Sequence, residues 1–540
     1  MKKSKAASSS RAQPGTFGSV AFGASDTFSK SNSPFGNSFG AAPSSQLSYV
    51  YEPPEINTIS DPTVVVAWKG LQKKDSATKT KALDELLAHV AKIEEEKQIL
   101  EDGFLEAWTR LYARTSIDNA RPVRQRAHTL QGRIAVVLGK RIVKSLPVLI
   151  GPWLCGLHDN DKLVVRCTQE SFSAVFPTDD KRLGVWKVYH SSILDYCSNT
   201  ILYEDAKTLS DERTTNKDDA ESKFSRTMAS ATLTVARAIE VLDREALQKH
   251  FDKYKTLLDS DKLWSLSGDA DSFLRQALYR LIRVRLHRLD DSIDDQTLRK
   301  ASQTLVSKSL RKDQSGSIVA FVALLAALTQ DHPTVWTTHF SSQKKTAPEL
   351  LQGFLKSLPS IPSPDFWASL HDLLDHVPAE VIIPKPSKAD SKTQSAPALE
   401  ALHHGLARRE NLKPGSSSAW HVFLSLVQRC LSRQNDPDSK DSVAQEYLCP
   451  LIRQHVLLDQ EGSAWSIADS SEKQAQTSQR ALSLLLEFSP VAAVSLVRSI
   501  STAVIESMQA SLPEQSQGFA NSQQRVSEAF ARWSDRKSVV

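Results

Sequence analysis

The side chains of this 540-residue chain best suited to holding a metal or acting as nucleophiles are its histidines and five cysteines, and their spacing argues against both roles. A zinc ion needs four ligands converging in tetrahedral geometry, usually announced by close Cys/His pairs. Cys155, Cys167, Cys197, Cys430 and Cys449 contain no C-x-x-C pair and are odd in number. Their apolar or helical surroundings suit the reduced thiols of a cytosolic or nuclear protein. His371 and His376 stand about 140° apart around a helix and cannot share an ion from one face. His403-His404 has basic neighbours and no carboxylate cluster, so it reads as a solvated pair. Glu94-Glu95-Glu96 reads as a solvated helix end. No phosphate-cradling loop, dinucleotide fingerprint, nucleophile elbow or H-E-x-x-H is present. The expectation is therefore no catalytic residue and no metal site.

What the charged residues can do is bind phosphate. Nine basic residues lie between Arg110 and Lys144 (Arg110, Arg114, Arg121, Arg124, Arg126, Arg133, Lys140, Arg141, Lys144) against one acid, Asp118. Lys69, Lys73, Lys74, Lys79 and Lys81 precede them. On one side of a helical stack these would form a face for phosphate-backbone contacts; the alternative is that several arginines ladder inside the fold. A second basic helix (Arg275, Arg280, Arg283, Arg285, Arg288) has the weaker claim, because Asp290, Asp291, Asp294 and Asp295 follow it. The net charge of +5 is concentrated in residues 1–45, where Lys2, Lys3, Lys5, Arg11 and Lys30 oppose Asp26. The rest is near neutral, which disfavours a globally basic nucleic-acid binder.

The elements that would position these residues are helices. Gly is scarce at 19 residues, whereas all-β folds need Gly-rich turns. Leu83, Leu86, Leu87, Val90 and Ile93 line one helix face, as do Leu274, Ala277, Leu278, Leu281 and Ile282. Trp420, Phe423, Leu424, Val427 and Leu431 repeat the spacing, and so do Ala493, Leu496, Val497, Ile500 and Val504. Asp61-Pro62 and Ser489-Pro490 supply a cap followed by proline in the first turn. Ile318 to Leu328 is apolar nearly all round, as in a helix covered on several sides, and is too short to span a bilayer. Val64-Val65-Val66 and Val381-Ile382-Ile383 are isolated β-like runs. An internal echo pairs Asp118-Asn119-Ala120-Arg121-Pro122-Val123-Arg124 with His158 to Arg166. Its Val-Arg pairs are 42 residues apart, within the period of HEAT and armadillo repeats. In such repeats an Asp caps the second helix, the Val packs inward and the Arg can ladder to its neighbours. The expected fold class is all-α, a HEAT/armadillo-like helical-repeat solenoid.

At 540 residues the chain exceeds what one core can serve. Residues 1–46 form a Ser/Gly-rich tail with four Phe-Gly dipeptides (Phe17, Phe22, Phe35 and Phe39 lead them), expected to be disordered and either a plain tail or a transport-factor ligand. Its start is polar, with no apolar signal segment. Residues 47–384 are expected to hold the first repeats, with an acidic loop near 204–223. Residues 385–400 read as a linker or loop, and 401–540 as further repeats continuing the solenoid.

Several segments together resemble the N-terminal end of the listerin family. These are Leu47-Ser48-Tyr49-Val50-Tyr51-Glu52-Pro53-Pro54, Ile59-Ser60-Asp61-Pro62, Val64 to Lys69, Leu71 to Leu83, Trp108 to Tyr112, Ser116 to Asn119, Gly151 to Leu157 and Thr208 to Thr214. The likeness covers residues 47–240; beyond it only the helical texture persists. Listerin-type proteins are long HEAT/ARM-repeat RING E3 ubiquitin ligases of ribosome-associated quality control. They engage large ribosomal subunits that carry a stalled peptidyl-tRNA, together with a NEMF-type cofactor, and ubiquitinate the nascent chain. A RING needs eight Cys/His ligands for two zinc ions, and this sequence has no such cluster.

The resemblance thus implies an N-terminal recruitment piece of a longer ligase. It would be cytosolic and monomeric, without membrane association, meeting E2 and ubiquitin only through the absent RING. No cofactor is expected in this chain, zinc belonging to that RING. Contacts with rRNA and ribosomal protein would fall to Lys73, Lys74, Lys79 and Lys81, then Arg110, Arg114 and Arg121. The rival expectation is a HEAT-type transport or assembly adaptor working through the Phe-Gly tail. A free-standing enzyme has no motif behind it.

Overall fold

The computed structural model describes residues 45–510, apart from 343, 359–362, 384–396, 408–415, 458–464 and 466–469, together with Ser527. The Phe-Gly dipeptides and most of the expected linker at 385–400 lie outside the described residues, as does nearly all of 511–540.

Polar caps decide where the helices begin. Asp61 Oδ1 accepts from the Thr63 amide at 2.8 Å, starting α1 (Pro62–Leu71) with proline in its first turn. Asp75 accepts from the Thr78 amide at 2.7 Å and starts α2 (Ser76–Glu96). Each cap satisfies a first-turn N–H that has no partner inside the helix, typically worth about 1 kcal/mol. Then follow α3 (Asp102–Ser116), α4 (Arg121–Leu138), α5 (Leu146–Gly156), α6 (Lys162–Val175), α7 (Asp179–Val188), α8 (His190–Tyr203), α9 (Ala206–Leu209) and α10 (Lys217–Val241). Ser489 caps Pro490–Ala510 as its sequence suggests, its hydroxyl accepting from the Ala492 amide at 3.3 Å. No strand occurs among the described residues. Val64 to Val66 lie in α1, and Val381 and Ile382 in the short helix Ala379–Ile382.

The helices stack in two layers, which makes the chain a helical-repeat solenoid. In one layer α2 packs on α4 and α4 on α6. The same layer resumes with α10 against Ser272–Arg288, then Ile318–Asp331, Pro364–His376, Ser416–Arg433 and Ser471–Phe488. In the other, α3 packs on α5 and α5 on α8, each also touching a helix of the first layer. A single buried apolar core runs from Ile59 to Ile500. Trp68, Trp108 and Trp153 are fully buried, and the last two place their indole N–H groups on Gln131 Oε1 (2.7 Å) and Ser171 Oγ (3.0 Å). Where α4 crosses α6 the backbones come so close that a Cβ on Gly132 would lie 2.5 Å from that of Ser171.

Three expectations need correction. The repeat register is 41 rather than 42: α4 and α6 begin at Arg121 and Lys162, and the fully buried pair is Val123 with Val164. Arg166 is therefore not the counterpart of Arg124; it is exposed and bonds Glu170 one turn on. The stretch 204–223 is a loop only in part, at 204–205 and 210–216, since 206–209 is α9, Glu204 is buried, and α10 already begins at Lys217. Lys217, Asp218, Asp219 and Glu221 belong to the first turns of α10, where acids suit a helix N-terminus. His403 is no solvated residue either. Its ring stacks 3.9 Å from that of Trp465, among Trp420, Phe423 and Tyr447, while His404 is exposed.

His128 is fully buried and contacts the Tyr112 hydroxyl at 2.9 Å. Burial first, then the nearby Arg124 cation, pull its pKa down to about 3. Between the unfolded value of 6.5 and the folded value the unfolded chain binds a proton that the native chain refuses. The contribution is therefore complete above pH 6.5 and lost as the pH falls toward 3. We expect His128 to make stability fall by roughly 1.4 kcal/mol per pH unit below that point. Urea unfolding of wild type and His128→Gln across pH 7.5 to 4.5 should show the variant's slope flatter by one proton.

Candidate docking surface

The turn between α1 and α2 carries Lys73 and Lys74, and the first turns of α2 carry Lys79 and Lys81. This turn, the α3–α4 turn at 117–120 and the α5–α6 turn at 157–161 line one edge of the stack. Asp118 and Asp159 each fold their turn by accepting the amide two residues on, Ala120 at 2.9 Å and Asp161 at 2.8 Å. Short polar side chains favour such backbone bonds where a helix has yet to begin.

Both aspartates are then drawn into a buried charge node. Arg124 spans Asp159 with Nε at 2.9 Å and Nη2 at 3.1 Å, while its Nη1 donates to the carbonyls of Asp118 and Asn119. The side chains of Arg124 and Asp159 are only 4% and 6% exposed. Arg226, from α10, donates Nη2 to the carbonyls of Ile117 and Asp118 at 3.1 Å and lies 4.0 Å from Asp159. Burial lowers its guanidinium to about 10, so it stays charged at neutral pH. Lys79 closes the node, its ammonium 2.6 Å from Asp118.

The seven residues singled out from sequence therefore have different fates. Lys79 is only 22% exposed and serves the node. Arg114 is half-buried and holds the segment before α1, donating Nε to the Ser48 carbonyl at 2.7 Å and lying 3.6 Å over the Tyr51 ring. Lys74 and Lys81 remain in water, with carboxylates of Asp211 and Glu85 no nearer than 3.8 Å and 3.9 Å. Arg121 is half exposed, 3.7 Å from Asp161. Such solvated pairs are worth about 0–1 kcal/mol and exchange readily for another anion. Lys73 and Arg110 are exposed and have no carboxylate partner among the described residues.

The nine-cation stretch is therefore not one basic face. Arg126 reaches Asp84 at 2.5 Å, Arg133 reaches Glu94 at 3.5 Å and Arg141 reaches Asp102 at 2.6 Å, each pairing with an acid of α2 or α3. Lys140 and Lys144 are exposed but follow the far end of α4, a helix about 27 Å long, away from Arg121. What gathers on the edge near 72–75 is Lys73, Lys74, Lys81 and Arg121; Arg110 lies on α3, one turn before Arg114. Sequence reading missed Arg226 and the strap at 45–52. Leu47 is 2% exposed in a small core with Ala113, Ile117 and Leu209, and the Tyr49 amide donates to the Thr208 carbonyl at 3.0 Å. The signal for the strap was an apolar Leu47-x-Tyr49-Val50-Tyr51 run ending a polar tail.

Among the described residues no three His, Cys, Asp or Glu side chains gather as metal ligands, and no helix is long and apolar enough to cross a membrane. The strap gives a direct prediction. Arg114→Ala loses the Ser48 bond and the Tyr51 contact, worth roughly 2–3 kcal/mol together. Limited proteolysis should then cut within 45–58 at least about tenfold faster while helical circular dichroism is unchanged, and an unaltered cleavage rate would show that Leu47 alone holds the strap.

Comparison with known proteins identifies the family. The family description "E3 ubiquitin-protein ligase listerin, N-terminal domain" matches residues 59–377. The listerin of Neurospora crassa is 32% identical over 433 residues, covering 80% of this chain and 25% of that protein. Those of Schizosaccharomyces pombe (27% over 413 residues, 74% and 25%) and Saccharomyces cerevisiae (24% over 369 residues, 66% and 23%) align similarly. The chain spans about a quarter of the length of these relatives. Among solved structures, one of Kap95p binding to RanGDP aligns at TM-score 0.37 and 11% identity, covering 88% of this chain and 52% of that one. One of importin beta aligns at 0.24 and 10%, covering 88% and 70%. The match across more than half the chain, on helices that begin and pack as described, places it plainly: this chain belongs to the listerin family of E3 ubiquitin-protein ligases, in its N-terminal region.

Proposed function

We propose that this chain is the recruitment module of a listerin-type ligase, docking on large ribosomal subunits that carry a stalled peptidyl-tRNA. The observation that carries the reading is the family match over 59–377, within which Lys73, Lys74, Lys81, Arg110 and Arg121 stay in water with weak acid partners or none. Mechanistically, this is positioning without chemistry. Lys79, Arg124 and Arg226 are spent in holding the turn edge rigid, so the remaining cations meet rRNA phosphates from a preformed surface and read shape rather than sequence. A NEMF-type cofactor would share the docked subunit. Ubiquitin transfer, with its E2 and its zinc, would belong to a RING elsewhere in the ligase, and the setting would be the cytosol.

The test is co-sedimentation with purified large subunits across a salt series. Combined K73E, K81E and R110E should weaken binding and make its logarithmic salt dependence shallower by about 0.9 for each phosphate contact removed. Deleting residues 1–45 should leave binding unchanged, whereas loss of binding on that deletion would favour a transport adaptor acting through the Phe-Gly tail. Charge-reversed protein that folds and binds at full strength would remove these residues from the interface.

A further inference from the structure

The helix Pro490–Ala510 is apolar on two faces and covered on one. Ala492, Ala493, Leu496 and Ile500 are buried on the side that meets Cys449–Leu457 and Ser471–Phe488. Val491, Val494, Val497 and Ile505 occupy a second arc, about 120° wide at the turn angle of an α-helix, and are 68%, 60%, 41% and 53% exposed. Arg498 and Ser501 share that arc. A helix with apolar residues most of the way round is normally covered on several sides. Ile318–Asp331 is an example in this stack, burying Phe321, Val322, Leu324, Leu325 and Leu328 between its neighbours. Each repeat of a solenoid is covered by the next, and the second arc of Pro490–Ala510 still stands in water.

A second observation lies farther along the chain. Val526, Ala529, Phe530 and Trp533 recur at i, i+3, i+4 and i+7, the spacing of one apolar helix face, and Arg525, Glu528 and Arg532 fall off it. Ser527, the one described residue after Ala510, is helical and exposed, as its place off that face requires. Residues 511–525 connect the two and hold Pro513 and Gly518. Such a connection reaches about 50 Å when extended. The 21-residue helix before it is about 32 Å long, so the connection can bring 526–533 back along any part of the exposed arc.

We propose that residues 526–533 pack as a helix on this arc, with Phe530 and Trp533 seated on Val491, Val494, Val497 and Ile505, and so extend the stack by one helix. A helix this short is marginal in water without tertiary packing, so the segment needs a surface as much as the arc needs a cover. A segment tethered through so short a connection is present at an effective concentration in the millimolar range. It therefore outcompetes a second copy of the chain for the same apolar face. The inference is independent of ribosomal docking.

The experiment is timed tryptic digestion of the 540-residue chain, read by mass spectrometry, alongside sedimentation velocity. Cleavage after Arg525 and Arg532 should be slow in wild type. Val494→Asp, a change at an exposed position, should speed both cuts at least about tenfold, with helical circular dichroism unchanged and the chain monomeric. Phe530→Ser alters the other partner and serves should Val494→Asp misfold; it should speed the same two cuts, and the double variant should be no faster than the faster single one. Cleavage rates equal in wild type and both variants would overturn the proposal. So would a dimer that survives deletion of 511–540 and dissolves in Val494→Asp, since the occupant would then be a second copy.

Discussion

Arg124 and Asp159 face each other almost entirely out of water, and the edge of the first repeats is built around that pair. Two desolvated charges are costly unless every remaining donor and lone pair is used. Here most are: the guanidinium also serves the Asp118 and Asn119 carbonyls, and the carboxylate also closes its own turn. The pair thereby links the α3–α4 turn to the α5–α6 turn, and Arg226 brings α10 onto the same carbonyls. The device recurs later in the chain. Arg275 donates Nη1 to the carbonyls of Asp269 and Ala270, the same offsets as in Arg124, and reaches Ser317 Oγ and the Ser315 carbonyl in the next repeat. In this stack the arginines connect consecutive repeats, whose neighbours supply most of each one's stability.

That use of arginine limits what the surface can offer. A positive stretch in sequence becomes a positive face only if its acids lie elsewhere, and here α2 and α3 return Asp84, Glu94 and Asp102 to it. The cations left over are Lys73 and Lys74 in the α1–α2 turn and Lys81, Arg110 and Arg121 on helices, where long flexible stems keep the charge in water. Listerin-family membership and this sorting of charges together favour a small docking edge over a broad basic face.

Much of this was legible in the residues. Caps at Asp61 and Ser489, the apolar faces of α2 and of Ser272–Arg288, and a period near 40 follow from local chemistry, and the structure realises them. Turn aspartates and a laddering arginine were readable as a pattern. The partners were not: Arg124 finds Asp159 35 residues away, and Arg226 finds the Asp118 carbonyl 108 residues away. No local rule selects one acid among many at such distances. The one-residue error in register came from matching Arg166 to Arg124 by identity, when it is the inward-facing valine that packing holds in place. His403 failed for the same reason, since its aromatic neighbours at 420, 423, 447 and 465 converge only in three dimensions.

The most direct test of the central claim is hydrogen exchange, resolved by peptide, of Arg124→Met against wild type. If this arginine joins consecutive repeats, protection must fall together at 117–120, at 157–161 and in the first turns of α10, with the middle of α4 little changed. Loss confined to the start of α4, or no loss at 157–161, would mean that apolar packing alone holds the repeats together and that the buried charges are incidental.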